Sequence, residues 1–80
     1  MLSETDIERI VTIRRVLRSG VAAEIREAAG ASRAEVAASV DCHPITVAKW
    51  ETGERTPRTE VALRLADVYG HLAGAAELFS

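Results

Sequence analysis

A chain of 80 residues with a formal net charge of −2 can form one small domain, because a chain this short buries only about 60–65% of the surface that its unfolded form exposes. So modest a core leaves little room for an enzyme cleft, and we expect no catalytic activity. The single cysteine, Cys42, excludes an internal disulfide and fits a reducing compartment. No apolar run approaches the roughly 20 residues of a membrane span, and no secretory leader is recognisable. We therefore expect a cytoplasmic protein that does not enter a membrane.

The first predicted element is a helix over residues 5–18, which Ser19 and Gly20 end. Two capping-box pairs are available at its start: Ser3 with Asp6, and Thr5 with Glu8. Its predicted inner stripe consists of Ile7, Ile10, Val11 and Leu17.

Two shorter helices are predicted next, over residues 21–29 and 33–40. Gly30 stands where a left-handed residue would end the first of them. Ser32 is placed to cap the second, with Glu35 as its partner in a further capping box. The predicted inner face of the helix over residues 21–29 consists of Ala22, Ile25, Ala28 and Ala29.

Asp41, Cys42 and His43 are predicted to form a tight turn before a helix over residues 44–51. Pro44 suits the first position of that helix, because its missing N–H would have no helical partner there, and His43 is then the cap. After a loop that closes at Pro57, we expect a helix capped by Thr59 over residues 60–69, ended by Gly70, and a short final helix over residues 72–79. The inner face of the helix over residues 60–69 is predicted to be Ala62, Leu65, Ala66 and Tyr69. No segment predicts a strand, so the expected fold class is all-α.

The helices over residues 33–40 and 44–51, with the turn between them, have the layout of a helix-turn-helix. Two helices that cross closely need a small residue at the contact, and Ala37 is that residue. Asp41 is placed where the turn requires a residue that tolerates positive φ. The predicted core of the motif consists of Val36, Ala37, Val40, Val47 and Trp50.

The outward face of the second helix is the predicted base-reading surface. An eight-residue helix is about 12 Å long, which matches a major groove about 12 Å wide. Lys49 can donate to guanine O6 and N7, Thr46 can hydrogen-bond to several base edges, and Ile45 can pack against a thymine methyl group. The predicted base contacts are Pro44, Ile45, Thr46, Ala48 and Lys49.

At these residues the chain resembles the Xre family of Cro and lambda-type repressor helix-turn-helix domains. The resemblance covers residues 22–79 and is carried by the segments ASRAEVAASV, ITVAKWETGERTP and LRLADVYG. The family pattern is met at Ser32, Ala37, Val47, Trp50, Glu51, Gly53 and Pro57. The resemblance implies a compact bundle of five short helices, regulation or repression of transcription by binding a double-stranded DNA operator, and a bacterial or phage setting. Residues 21–80 would form this domain, and residues 1–20 would add an N-terminal helix packed on it.

The chain departs from the family at Arg33 and Pro44, where the family often has glutamine. Pro44 removes a glutamine that commonly reads adenine, which shifts the predicted base reading toward Ile45, Thr46 and Lys49. By the same resemblance, the loop after the recognition helix follows the DNA backbone, where Glu54 is an unfavourable neighbour. The predicted phosphate contacts are Arg33, His43, Arg55, Thr56 and Arg58.

The charge balance argues against a nucleic-acid partner, since such proteins are usually basic on at least one face. From residue 33 to residue 58 the sequence has four basic and four acidic residues: Arg33, Lys49, Arg55 and Arg58 against Glu35, Asp41, Glu51 and Glu54. Folding must therefore gather the cations on one face. The alternative is a protein-interaction module or an antitoxin-type partner-binding protein that retains the helix-turn-helix fold.

Neither a metal site nor a cofactor is predicted. Cys42, His43 and His71 fall short of the four ligands usual for zinc, and Cys42 with His43 lacks the third group that would orient a nucleophile.

The N-terminal helix is expected to fill out the core, with Arg14, Arg15 and Arg18 on a solvated face; an extended DNA footprint through these arginines is the alternative. A homodimer would set two recognition helices about 34 Å apart, one for each half-site. The candidate dimer surfaces are the N-terminal helix and the C-terminal tail with Leu72, Leu78 and Phe79.

Overall fold

The chain folds into five α-helices joined by short turns and one longer loop, in a computed structural model that describes the backbone of residues 1–79 and the side chains of residues 1–75. The helices are α1 (Glu4–Arg18), α2 (Val21–Ala28), α3 (Arg33–Ser39), α4 (Pro44–Glu51) and α5 (Thr59–Phe79). All regular structure in the described residues is helical, which confirms the all-α prediction. None of the described helices has the combination of length and hydrophobicity that crossing a membrane requires.

Local capping signals fix the helix ends. Of the two pairs available at the start of α1, the one that forms is Ser3 with Asp6: the Ser3 hydroxyl accepts from the Asp6 N–H, and the Asp6 carboxylate accepts from the Ser3 N–H. Ser32 and Glu35 form the same reciprocal box on α3. Gly30 takes φ +76° after α2, which confirms its predicted left-handed cap.

The predicted inner stripe of α1 is partly wrong. Ile10 and Leu17 are buried as expected, but Ile7 and Val11 are 49% and 48% exposed, and Ile13 is buried in their place. The predicted stripe and the buried stripe, which consists of Ile10, Ile13 and Leu17, both have helical spacing, and they lie side by side around α1. The stripe that contains Ile13 is the one that faces α2, α4 and α5, so tertiary packing decides between them.

The predicted break at Gly70 is also wrong, because a single helix α5 runs from Thr59 to Phe79. The described residues therefore form five helices, where the sequence predicts six. Glycine in a helix interior costs only about 1 kcal/mol relative to alanine, and no proline follows that would enforce a stop. Beyond Gly70, Leu72 packs against the core, and this contact favours continuing the helix. Leu78 and Phe79 lie outside the described side chains.

One hydrophobic core receives side chains from all five helices. Its buried apolar members are Ile10, Ile13, Leu17, Ala22, Val36, Ala37, Val40, Val47, Trp50, Ala62, Leu65 and Tyr69. The predicted inner face of α2 needs one correction, because Ala28 is exposed and Arg26 is buried instead. The N-terminal helix α1 contributes three of these residues and packs against α5, α2 and α4.

Candidate nucleic-acid interface

Helices α3 and α4 and the turn between them form a helix-turn-helix. Ala37 and Val47 are 1% and 0% exposed where the two helices meet, and Val36, Val40 and Trp50 are buried around them. Asp41 takes φ +53°, as the sequence predicts for the turn. The Cys42 N–H donates to the Ala37 carbonyl oxygen over 3.0 Å, which closes the turn.

The start of α4 is held by the residues that the sequence assigns to it. His43 is the cap: its Nδ1 accepts a hydrogen bond of 3.1 Å from the Ile45 N–H, and Pro44 follows at the first helical position. Because Nδ1 of the His43 ring accepts this hydrogen bond, the neutral form of the ring has its proton on Nε2. The exposed ring can therefore donate from Nε2 to a group outside the protein while it caps the helix.

The face of α4 that points away from the core carries Ile45, Ala48 and Lys49. Ile45 is the most exposed of them, at 59%. Ala48 and Lys49 are half-buried, as is Pro44 at the helix start. This face offers an apolar contact beside an amino group, with the small side chain of Ala48 next to them.

Thr46 lies on the side of α4 that faces the following loop. It lines a groove of about 640 Å³ between the turn, α4, the loop over residues 52–58 and the start of α5. The cationic side chains that line this groove are Arg55, Arg58 and Arg64. Arg55, Thr56 and Arg58 are all exposed, whereas Pro57 between them is buried and anchors the loop.

Arg64 is a residue of this groove that the sequence reasoning did not single out. Its NH2 group donates to the Ser39 carbonyl oxygen at the end of α3 over 3.1 Å and lies 3.8 Å from the Asp41 carboxylate. The side chain thereby ties α5 to the helix-turn-helix turn. It lies on α5 outside the predicted inner face, so no local pattern signalled this contact.

A buried ion network, also missed from the sequence, centres on Glu51 at the end of α4. The Glu51 carboxylate is 1% exposed and accepts from Arg26 twice, with Nε to Oε2 at 2.8 Å and NH2 to Oε1 at 3.0 Å. The Tyr69 hydroxyl donates to Oε2 over 2.6 Å, and the Arg33 Nε donates to Oε1 over 3.2 Å. The network therefore joins α2, α3, α4 and α5.

The network shifts the pKa values of its members. Burial by itself would raise the pKa of the Glu51 carboxyl, but hydrogen bonds from Arg26, Tyr69 and Arg33 lower that pKa below its ordinary value. The pKa of Tyr69 is raised, first by burial and then by the hydrogen bond to Glu51. Glu51 is therefore ionised and Tyr69 neutral at physiological pH. A signal for this network did exist, because Arg26 and Glu51 occupy the inner stripes of α2 and α4 where apolar residues are expected.

The network occupies part of the guanidinium of Arg33, which the sequence predicts to contact phosphate. Its Nε is engaged by Glu51, although the side chain remains 48% exposed. Lys49, Arg55 and Arg58 differ, because none of them forms an ion pair with a carboxylate within residues 1–75. Arg9, Arg26, Arg33 and Arg64 are thus paired with carboxylates, whereas the cations around α4 form no such pair within residues 1–75.

Cys42 lies at the edge of the groove but lacks the features of a nucleophile. Burial raises the pKa of its thiol, and the neighbouring Asp41 carboxylate raises it further. A reactive cysteine needs the opposite shift. Among the described residues, no three His, Cys, Asp or Glu side chains cluster so that they could hold a metal ion.

The family model of a helix-turn-helix domain matches residues 21–78, which include α2, α3, α4 and nearly all of α5. Helix α1 lies outside the matched range. Comparisons with curated proteins and with solved structures gave no match.

Proposed function

The chain belongs to the helix-turn-helix domain family, and from that premise we propose that it is a sequence-specific regulator of transcription, of the Xre type with a Cro-like or repressor role. It binds a double-stranded DNA operator in the cytoplasm, with α4 in the major groove. The observation that supports this proposal most directly is the exposed face of α4, where Ile45 and Lys49 stand beside cations that no described carboxylate neutralises.

Base reading is assigned to the outer face of α4. Lys49 donates to guanine O6 and N7, and Ile45 packs on a thymine methyl group. Thr46 hydrogen-bonds to the base edge nearest the protein groove that it lines, while Pro44 and Ala48 make close apolar contacts with the bases. The positive end of the α4 dipole and the Nε2 of His43 add attraction for the phosphate next to the helix start.

Phosphate binding is assigned to the loop after α4. Arg55, Thr56 and Arg58 lie together on an exposed segment at one wall of the groove, and phosphate contacts from such a loop set the register of a protein on the duplex. Arg33 contributes through the part of its guanidinium that Glu51 does not engage. A homodimer through α1 or through the tail with Leu72, Leu78 and Phe79 would let two α4 helices read two half-sites.

The test is selection of binding sites from random double-stranded DNA, at low and near-physiological salt. The test variant carries Ile45→Ala and Lys49→Ala. A matched control carries Val11→Ala and Arg15→Ala, which remove an exposed β-branched side chain and a cation at the same i, i+4 spacing from α1.

The proposal predicts an enriched half-site that the α4 variant loses and the α1 control keeps, even if the control changes how many copies of that half-site the motif contains. A palindromic motif indicates a dimer, and a single short site indicates a monomer. Absence of enrichment at either salt concentration would contradict the proposal and would favour a protein partner for the α4 face.

A further inference from the structure

The N-terminal helix α1, which lies outside the family match, contacts the loop over residues 52–58. Arg14 of α1 donates from Nε to the Pro57 carbonyl oxygen over 3.1 Å. Pro57 is buried between two exposed arginines, Arg55 and Arg58. A carbonyl oxygen at a buried residue needs a hydrogen-bond donor, and a guanidinium is a strong one because the bond is charge-assisted.

A second contact between α1 and the same loop lies at Gly53. Its φ is +80°, and a Cβ atom added there would lie 3.3 Å from the Arg18 Cγ and 3.6 Å from the Arg18 Cα. The loop backbone therefore passes directly against the last turn of α1. A side chain at this position would require the Arg18 Cγ to move by a few tenths of an ångström, and the positive φ independently favours glycine here.

The rest of the loop is held by its own flanking helices. The Gly53 N–H donates to the Trp50 carbonyl oxygen and the Arg55 N–H to the Lys49 carbonyl oxygen, both over 3.1 Å. At the other end, the Ala62 N–H donates to the Arg58 carbonyl oxygen over 2.8 Å. The contact from Arg14 to Pro57 lies between these two anchors, at the segment that carries the proposed phosphate contacts.

We propose that Arg14 is a positioning residue for DNA binding, which acts by holding the Pro57 carbonyl and so fixes Arg55 and Arg58 in the arrangement that meets the phosphates. The inference rests on the proposed function and extends it to a helix that lies outside the residues matched by the family model. It also gives α1 a role in the interface that requires no contact of its own with DNA.

The test compares Arg14→Met with Arg15→Met. Both variants remove one positive charge from α1 and keep a long aliphatic side chain, but Arg15 is exposed and makes no side-chain hydrogen bond or ion pair within residues 1–75. Each substitution is also made in a protein that already carries Arg55→Ala and Arg58→Ala. DNA affinity is measured against salt concentration at a temperature where all variants are folded.

Arg14→Met is expected to flatten the slope of log affinity against log salt by about 1.8, because each of two lost phosphate contacts contributes about 0.9. Arg15→Met is expected to leave the slope nearly unchanged. In the protein without Arg55 and Arg58, Arg14→Met should have no further effect on affinity. In the DNA-free protein it should accelerate hydrogen exchange of the Arg55 amide.

Three results would overturn the inference while leaving DNA binding intact. The first is an equal effect of Arg14→Met and Arg15→Met, which would indicate a general charge effect. The second is a full effect of Arg14→Met without the loop arginines, which would indicate direct contact with DNA. The third is a lower Tm with unchanged affinity of the folded protein, which would indicate support of the core alone. Failure of the unsubstituted protein to bind any DNA would instead overturn the proposed function, and this inference with it.

Discussion

Glu51 links four of the five helices through one carboxylate. Its partners come from α2, α3 and α5, and the two bonds from Arg26 have the parallel geometry in which a guanidinium binds a carboxylate most strongly. Because Arg26 is 6% exposed, its charge depends on Glu51 for compensation. The same carboxylate lies at the end of α4, so the network ties the last residue of the proposed reading helix to α2, α3 and α5.

Replacing Glu51 by glutamine is expected to lower the free energy of unfolding by about 3 kcal/mol, because the buried Arg26 charge then faces a neutral amide with a single acceptor oxygen. Urea unfolding at pH 7 measures this loss. Glu54→Gln, which changes the same charge at an exposed loop position, should stay within about 0.5 kcal/mol of the unsubstituted protein. Similar stabilities of the two variants would show that the network is not what holds α4 in place.

The lowered pKa of Glu51 also predicts how stability depends on pH. A carboxyl whose pKa is lower in the folded than in the unfolded state stabilises the protein above its unfolded pKa, which is about 4.3, and loses that contribution as pH falls through the folded value. The stability difference between the unsubstituted protein and Glu51→Gln should therefore be constant from pH 7 to about pH 5. It should shrink as the pH falls below about 4. A stability difference between the two proteins that stays undiminished down to pH 2 would rule out a lowered pKa of Glu51.

At the scale of the elements, the signals that predicted structure correctly are local ones. The capping pairs at Ser3 and Ser32, the left-handed Gly30 and the positive φ of Asp41 each depend on a few neighbouring residues, and all of them form as expected. The outward face of α4 follows from helical spacing once its buried residues are known.

The errors arise where distant residues decide the outcome. Whether Val11 or Ile13 is buried depends on where α5 packs against α1, and the period of α1 allows either. The partners of Glu51 are 18 and 25 residues away in the chain, so the helical pattern could mark Arg26 and Glu51 as charges on inner stripes but could not show that they pair. The continuation of α5 past Gly70 depends on the contact of Leu72 with the core.

The continuity of α5 gives a prediction at this scale. Gly70→Ala is expected to raise the free energy of unfolding by about 1 kcal/mol, because Gly70 is helical and a Cβ there meets nothing within 4 Å. Gly30→Ala should lower stability instead, because Gly30 takes φ +76°. Thermal unfolding of both variants tests this contrast. If Gly70 ended a helix in the left-handed conformation, its substitution would destabilise the protein as that of Gly30 does.

At the scale of the whole molecule, the local arrangement of charges meets part of the objection that the net charge raises. The chain carries a net charge of −2, and some of its described carboxylates pair with arginines or cap helices, as Asp67, Glu51, Asp41 and Glu35 do, whereas Glu54 and Glu60 near the loop form no ion pair within residues 1–75. Lys49, Arg55 and Arg58 remain, at the end of α4 and along the loop that follows it. With about four phosphate contacts per domain, log affinity should fall with log salt at a slope near −3.6.

The most direct test of this account is a salt titration of binding by the unsubstituted protein, Lys49→Ala and Arg55→Ala, on the selected operator and on random DNA. The account predicts that Lys49→Ala loses about 1–3 kcal/mol on the operator and little on random DNA. Arg55→Ala should weaken both alike and flatten the slope by about 0.9. Equal losses on both DNAs for the two variants, or a slope near zero for the unsubstituted protein, would contradict the division between base reading by α4 and phosphate binding by the loop.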